Sequence, residues 1–186
     1  MGLKRVETTI PGVVLIELNI FNDSRGFFLE THHQKRYAEL GIDEIFVQDN
    51  HSHSRKGTLR GLHYQLNHAQ GKLIYVVRGQ IYDVAVDIRR CSPTFGEWTG
   101  AVLSDQNKYQ IFIPKGFAHG FYVLSETADV IYKCSDLYTP DDEYGIFWAD
   151  PKINIKWPEK NPILSEKDNQ YPNLENVLVE HLPFYP

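Results

Sequence analysis

The chain has 186 residues, 42% hydrophobic and 13% aromatic, and a formal charge of -5. That length suits one domain with a sizeable core, and the acidic balance excludes a general nucleic-acid binder, which needs a basic face to neutralise phosphates. Cys91 and Cys134 stand outside any Cys-x-x-Cys spacing, so neither a disulfide framework nor a zinc site is indicated. Met1 to Val6 lacks the apolar core of a secretory signal and no run is long enough to span a membrane, so a cytoplasmic protein with no membrane partner is expected.

In chain order, Val13 to Ile20 and Gly26 to Thr31 are apolar and strand-prone, and the turn chemistry of Phe21-Asn22-Asp23-Ser24-Arg25-Gly26 between them predicts an early antiparallel pair. His33 to Leu40 changes period, with Tyr37 and Leu40 on one side and Gly41 where a left-handed residue ends a helix. Phe46 to Ser52 alternates: Phe46, Gln48, Asn50 and Ser52 share one face, Val47, Asp49 and His51 the other. Polar groups on both faces suit a barrel whose lumen binds a ligand.

Lys72 to Arg78 and Ile81 to Arg89 read as two long strands joined tightly at Gly79. Tyr82, Val84, Val86 and Ile88 make an apolar stripe, which leaves Asp83 and Asp87 either as exposed charges or as groups facing inward. Further strands are expected at Glu97 to Leu103, Gln110 to Ile113, Ala118 to Leu124 and Thr127 to Cys134, with Pro114-Lys115-Gly116 as a corner. Short strands with turns between them and little helix describe an all-β jelly roll, a double-stranded β-helix with a few short helices near the N-terminus and in the tail. The barrel core spans about residues 10–135. Residues 136–186, richer in Pro, Asp and Glu, read as a tail wrapped on it within the same domain. Ser165-Glu166-Lys167-Asp168 looks like a helix start with Asp168 in a capping role.

Chemistry concentrates in Arg60-Gly61-Leu62-His63-Tyr64-Gln65, where a guanidinium that grips anions lies close to an imidazole suited to proton transfer. Taken alone, those residues fit a surface arginine and a satisfied core histidine. Gln48 and Asn50, Lys72, and His119 with Tyr132 line up as further walls of one lumen. A histidine there can remove a proton, a tyrosine can deliver one, and a lysine can stabilise an oxyanion in between. Arg60 and His63 differ by three, so both reach the lumen only if Gly61 bulges the strand. A metal reading is weighed against this because His51, His53, His63, His68 and His119 are many for a barrel. Pro114 to His119 resembles the second cupin motif, but Gln65 stands where the first needs its second histidine, and His51 and His53 are followed by the cationic Arg55-Lys56. No metal is expected.

Several segments, in this order and spacing, resemble the dTDP-4-dehydrorhamnose 3,5-epimerase family, metal-free cupin-like sugar-nucleotide epimerases. They are Asp23 to Phe28, Phe46 to Ser52, Leu59 to Gln65, Gln70 to Leu73, Asp83 to Arg89, Ile113 to Phe121, Tyr132 to Cys134 and Ser165 to Asp168. The resemblance covers nearly the whole chain. It implies His63 as general base polarised by Asp168, Tyr132 as the acid on the opposite face, and Lys72 holding the C4 oxygen as it becomes an enolate. It further implies Arg60 and His119 at the sugar and phosphate, and Arg25, Glu30, Gln48 and Asn50 at the nucleotide across a homodimer interface. Tyr138 would stack near the nucleotide, and Glu143 and Lys167 would complete the edge. No cofactor is implied. Tyr75 and Leu137 depart from the family pattern on the nucleotide side. The competing readings are a C3-only epimerase, a non-catalytic sugar-nucleotide-binding cupin and, last, a metal-dependent cupin oxygenase.

Overall fold

The computed structural model describes residues 3–185. Strands form at Lys4–Glu7 (β1), Val14–Glu17 (β2), Phe21–Asp23 (β3), Gly26–Phe28 (β4), Gln48–Arg55 (β5), Leu59–Gln65 (β6) and Lys72–Arg78 (β7). They continue at Gln80–Asp87 (β8), Trp98–Ser104 (β9), Gln110–Ile113 (β10), Phe117–Val123 (β11), Thr127–Cys134 (β12) and Glu143–Gly145 (β13). The α-helix Gln34–Ala38 (α1) and 3-10 turns at Pro140–Asp142, Leu174–Asn176 and Val179–His181 complete the helical content of the described residues. None of these helices is long and apolar enough to cross a membrane.

Two antiparallel sheets form the expected jelly roll, one in the order β1-β2-β10-β7-β12-β5 and the other β13-β6-β11-β8-β9. The tight joint between β7 and β8 does not make a hairpin, because β7 bonds to β10 and β12 while β8 bonds to β9 and β11. Gly79 instead carries the chain from one sheet to the other. Its φ is +82° and a Cβ there would lie 2.1 Å from the Thr127 carbonyl oxygen, so glycine alone fits.

The early pair is also rearranged. β2 pairs with β1 and β10, and β3 and β4 make a small hairpin of their own, so part of the expected turn is itself strand. Val14, Ile16 and Leu18 are drawn instead into a cluster with Tyr37 of α1. Tyr37 is fully buried and donates to Gln110 Oε1 at 2.7 Å, and Gly41 closes the helix at φ +84° as the sequence predicts.

Between the sheets, Ile74, Val76, Ile81, Ala85, Val123 and Val130 pack one end of the barrel solid. Outside the second sheet, Val84, Val86 and Ile88 are covered by Ile146, Ile153, Leu174 and Leu182 from the tail. This decides between the two readings of β8. Tail, not water, covers the apolar stripe, so Asp83 and Asp87 lie on the inner face with 0% exposure. Burial alone would raise the Asp87 carboxyl, but Arg89, Ser92 and Thr94 donate to it and hold it below its ordinary value. The Arg89 guanidinium in turn lies 4.5 Å from the Phe117 ring and 4.8 Å from that of Tyr185, which pins the end of the tail. The helix expected from Ser165 is a turn: the Asp168 amide donates to Ser165 Oγ at 3.1 Å, but no helix follows.

Candidate active site

A cavity of about 530 Å³ opens between the two sheets. Alternation in β5 turns Gln48, Asn50 and Ser52 into it, and the register sets Asn50 opposite Tyr132 and Gln48 opposite Cys134, which is itself opposite Lys72. These strands make one wall. On the other, β6 carries Arg60 and His63, with His119 of β11 and Gly145 of β13 as the register neighbours of His63. The β6–β11 pairing slips between His119 and Phe121, so Arg60 and His63 both reach the cavity despite their odd spacing. Gly61, at φ +119°, makes this possible, since a Cβ there would lie 2.5 Å from Gly120 Cα and 2.6 Å from the His119 carbonyl oxygen.

Two imidazoles on the second wall are each held by a buried carboxylate. His63 Nε2 meets Asp168 Oδ1 at 2.5 Å, and Asp168 is 3% exposed. Burial alone would raise the Asp168 carboxyl, but His63, the Ser165 hydroxyl and the Gly61 amide hold it below its ordinary value. An anion at Nε2 selects the tautomer protonated there, which leaves Nδ1 as the basic nitrogen. His119 Nε2 meets Asp83 Oδ2 at 2.9 Å, while Asp83 Oδ1 and Ser52 Oγ are buried without a hydrogen-bond partner among the described residues. Asp83 was legible as an inward group only once the tail was seen to cover the opposite stripe. Ser52 shares the stripe of Gln48 and Asn50.

On the first wall, burial pushes the Tyr132 hydroxyl up, so it is a neutral proton donor at physiological pH. Burial pushes the Lys72 amine down, opposed by Cys134, Glu143 and Asp83. A lowered amine is closer in acidity to an enol and so better matched to share a proton with an enolate. His63 and Tyr132 therefore face one cavity from different sheets, with the Lys72 amine beside them.

The mouth is tied together by side chains. Lys167 is bonded to Glu143, whose carboxylate also accepts from the Tyr138 hydroxyl at 3.0 Å, and the Tyr138 amide donates to Gln48 Oε1 at 2.8 Å. Tyr138 keeps 48% of its surface exposed, which leaves its ring free to stack. Arg60 Nε donates to Ser54 Oγ at 3.0 Å, fixing the guanidinium at the rim. Gln65 donates to the carbonyls of His68 and Leu137 and accepts from the Thr139 amide, so it ties together the loops around the cavity. His51 and His53 face outward and share Asp129, each at 3.0 Å.

Arg25 and Glu30 are not brought to the cavity. Arg25 pairs with Asp23 at 2.6 Å and Glu30 with Arg36 at 2.8 Å. Tyr75 lies on the outer face of β7 in a separate apolar hollow of about 330 Å³ with Leu18, Phe27 and Phe28, away from the reacting groups.

The sequence model of the dTDP-4-dehydrorhamnose 3,5-epimerase family matches residues 7–176. A dTDP-4-dehydrorhamnose 3,5-epimerase of Shigella flexneri is 55% identical over 165 residues, covering 88% of this chain and 91% of its own. One from Neisseria gonorrhoeae is 54% identical over 164 residues, 88% of this chain, but that match spans only 50% of the relative's length. Among solved structures, the dTDP-6-deoxy-D-glucose-3,5-epimerase of Legionella pneumophila in complex with dTDP-4-keto-L-rhamnose superposes with a TM-score of 0.97. It is 52% identical, and the match covers 99% of each chain. With the match extending over most of its length, the chain belongs to the dTDP-4-dehydrorhamnose 3,5-epimerase family.

Proposed function

We propose that this cavity epimerises C3 and C5 of dTDP-4-dehydro-6-deoxy-D-glucose to give dTDP-4-dehydro-L-rhamnose. The observation that carries the reading is a carboxylate-backed imidazole on one sheet and a half-buried phenol on the other, both lining one cavity. Inversion at a carbon next to a ketone needs that arrangement. His63 Nδ1 takes the proton from one face, the C–H electrons move into the C4 carbonyl to form an enolate, and Tyr132 returns a proton from the opposite face. Lys72 holds the C4 oxygen while it is negative and so acts on the main barrier. Asp168 stabilises the imidazolium formed in the first step.

Arg60 and His119 bind the sugar and phosphate groups, and Gln48, Asn50, Glu143 and Lys167 bind the nucleotide side, with Tyr138 stacking on the base. Arg25 and Glu30 complete the nucleotide site from a second copy of the chain. The apolar residues beside them support such a homodimer, since Phe27 is 57% and Phe28 70% exposed. The free cysteines, Cys91 exposed and Cys134 buried, suit work in the cytoplasm.

The test is incubation with dTDP-4-keto-6-deoxyglucose in D₂O, with deuterium located by NMR. Label at both C3 and C5 is expected, and His63→Ala should abolish both. Label at C3 alone would make the protein a C3 epimerase, and none would make it a binding protein.

A further inference from the structure

Tyr171 does not line the cavity and has none of the roles above, yet its ring lies edge-to-face against the His63 imidazole, with centroids 5.7 Å apart and planes at 69°. The slot that holds it is cut into β13. Gly145 stands directly opposite His63 in the antiparallel register, so a side chain at 145 would project from the same face, beside the imidazole. An ideal Cβ there would meet three Tyr171 ring carbons, Cε2 at 2.4 Å and Cδ2 and Cζ at 2.5 Å. Gly145 is not among the residues of left-handed φ, so the ring's approach, not the backbone, requires glycine.

Tyr171 directly follows the turn that delivers Asp168. The Asp168 carboxylate holds His63 at a single atom, Nε2. One hydrogen bond fixes the tautomer but lets the ring plane rock about the bond, and the direction of Nδ1 rocks with it. A second contact against the ring removes that freedom. The Tyr171 hydroxyl is buried beside the Lys167 ammonium, with no hydrogen bond of ordinary geometry among the described residues, so the ring makes the contact with His63. Burial, and then Glu143, push that phenol up to about 12 against the opposing Lys167, so it stays neutral.

We infer that Tyr171, seated on Gly145, is a positioning residue that fixes the plane of the His63 imidazole and thereby aims Nδ1 into the cavity. The inference deepens the epimerase reading and rests on it. It is tested with Tyr171→Phe, Tyr171→Leu and Gly145→Ala in the deuterium assay with dTDP-4-keto-6-deoxyglucose. Melting temperatures are measured alongside, and the His63 imidazole N–H is followed by proton NMR. Tyr171→Phe keeps the ring and should keep kcat. Tyr171→Leu and Gly145→Ala should lose kcat on the order of 10²-fold with KM unchanged, the scale expected for a small misplacement of a reacting group, and should broaden the imidazole N–H signal. Wild-type kcat in the leucine variant, a loss confined to KM, or a phenylalanine variant as impaired as the leucine one would each overturn the inference. Should Tyr171→Leu fail to fold, Gly145→Ala decides the matter, because it displaces the ring while leaving Tyr171 in the chain. A wild type that takes up no deuterium would instead refute the epimerase reading, and the N–H signal would still test Tyr171.

Discussion

Replacing Asp168 by asparagine separates charge from shape at a buried point of the site. The carboxylate is 3% exposed and accepts from His63 Nε2 at 2.5 Å. Asparagine keeps the size and one acceptor oxygen but loses the charge. Two losses follow. A charge-assisted hydrogen bond contributes about 1.5–3 kcal/mol against about 1 for a neutral one, so about tenfold in rate goes with the weaker stabilisation of the imidazolium. In addition, when the amide NH₂ faces the ring, Nε2 must accept, Nδ1 carries the proton, and the base is blocked. A carboxylate-to-amide change behind a catalytic imidazole costs about 10⁴-fold in kcat in a serine protease. Asp168→Asn is therefore expected to lower kcat by about 10³- to 10⁴-fold, or about 4–5.5 kcal/mol in the barrier, with little change in substrate affinity. The assay is initial deuterium uptake at saturating dTDP-4-keto-6-deoxyglucose, with affinity measured separately by calorimetry. A kcat within tenfold of wild type, or a loss seen only in affinity, would refute the assignment of Asp168 as the partner that sets the tautomer.

Tyr132→Phe should leave partial exchange while blocking inversion, because removal of the proton by His63 does not need the phenol. NMR of the recovered sugar would show label with retained configuration, and an inverted product would count against the role. Lys72→Met, which keeps the stem and removes the charge at the C4 oxygen, should lower kcat by about 10²- to 10³-fold in the same assay, and a smaller loss would shift the burden to other donors. Gly61→Ala should destabilise the fold by several kcal/mol, on the order of 3, since a Cβ meets backbone atoms at 2.5–2.6 Å and φ is +119°; chemical denaturation is the check. The Asp168 and Asp87 carboxyls are both held below their ordinary value when folded. The unfolded chain thus takes up their protons first as pH falls, and the stability they contribute is present above about pH 4 and lost below it. Melting temperature should fall in that acid range, and Asp168→Asn should show a shallower fall.

Much of the site was legible because it lies on strands, where a period of two translates directly into direction. Gln48, Asn50 and Ser52 fell on one stripe of Phe46 to Ser52, and all three line the cavity. The slip at Gly61 was legible for a different reason: Arg60 and His63 at odd spacing can share a face only through an irregularity, and glycine between them makes that irregularity sterically possible. Asp83 was ambiguous because alternation says which residues share a face but not what covers each face. That depends on Leu174 and Leu182, about ninety residues away in the chain, folding back over β8. The β7–β8 joint was legible as a tight turn but not as a crossing, for a related reason: a glycine turn permits both a hairpin and a crossing between sheets, and only the pairing of both strands with distant partners decides. Asp168 sat in a local pattern that satisfied a capping rule, and its amide does bond to Ser165. Its carboxylate answers to His63, 105 residues away, which no local pattern encodes.

The reacting groups of the proposed mechanism belong to different sheets, and this makes the barrel a caliper. The opening of the jaws is set not by the polar residues but by the apolar filling at the closed end, Ile74, Ala85 and Val130 among it, each with 0% exposure. Facing sheets lie about 10 Å apart, and a sugar ring spanned from both sides tolerates little change in that gap. Proton transfer is thus sensitive to anything that alters the volume of the core, whether a methyl group, pressure or heat. Loss of inversion should precede loss of fold, with one of the two faces failing to reach the carbon first.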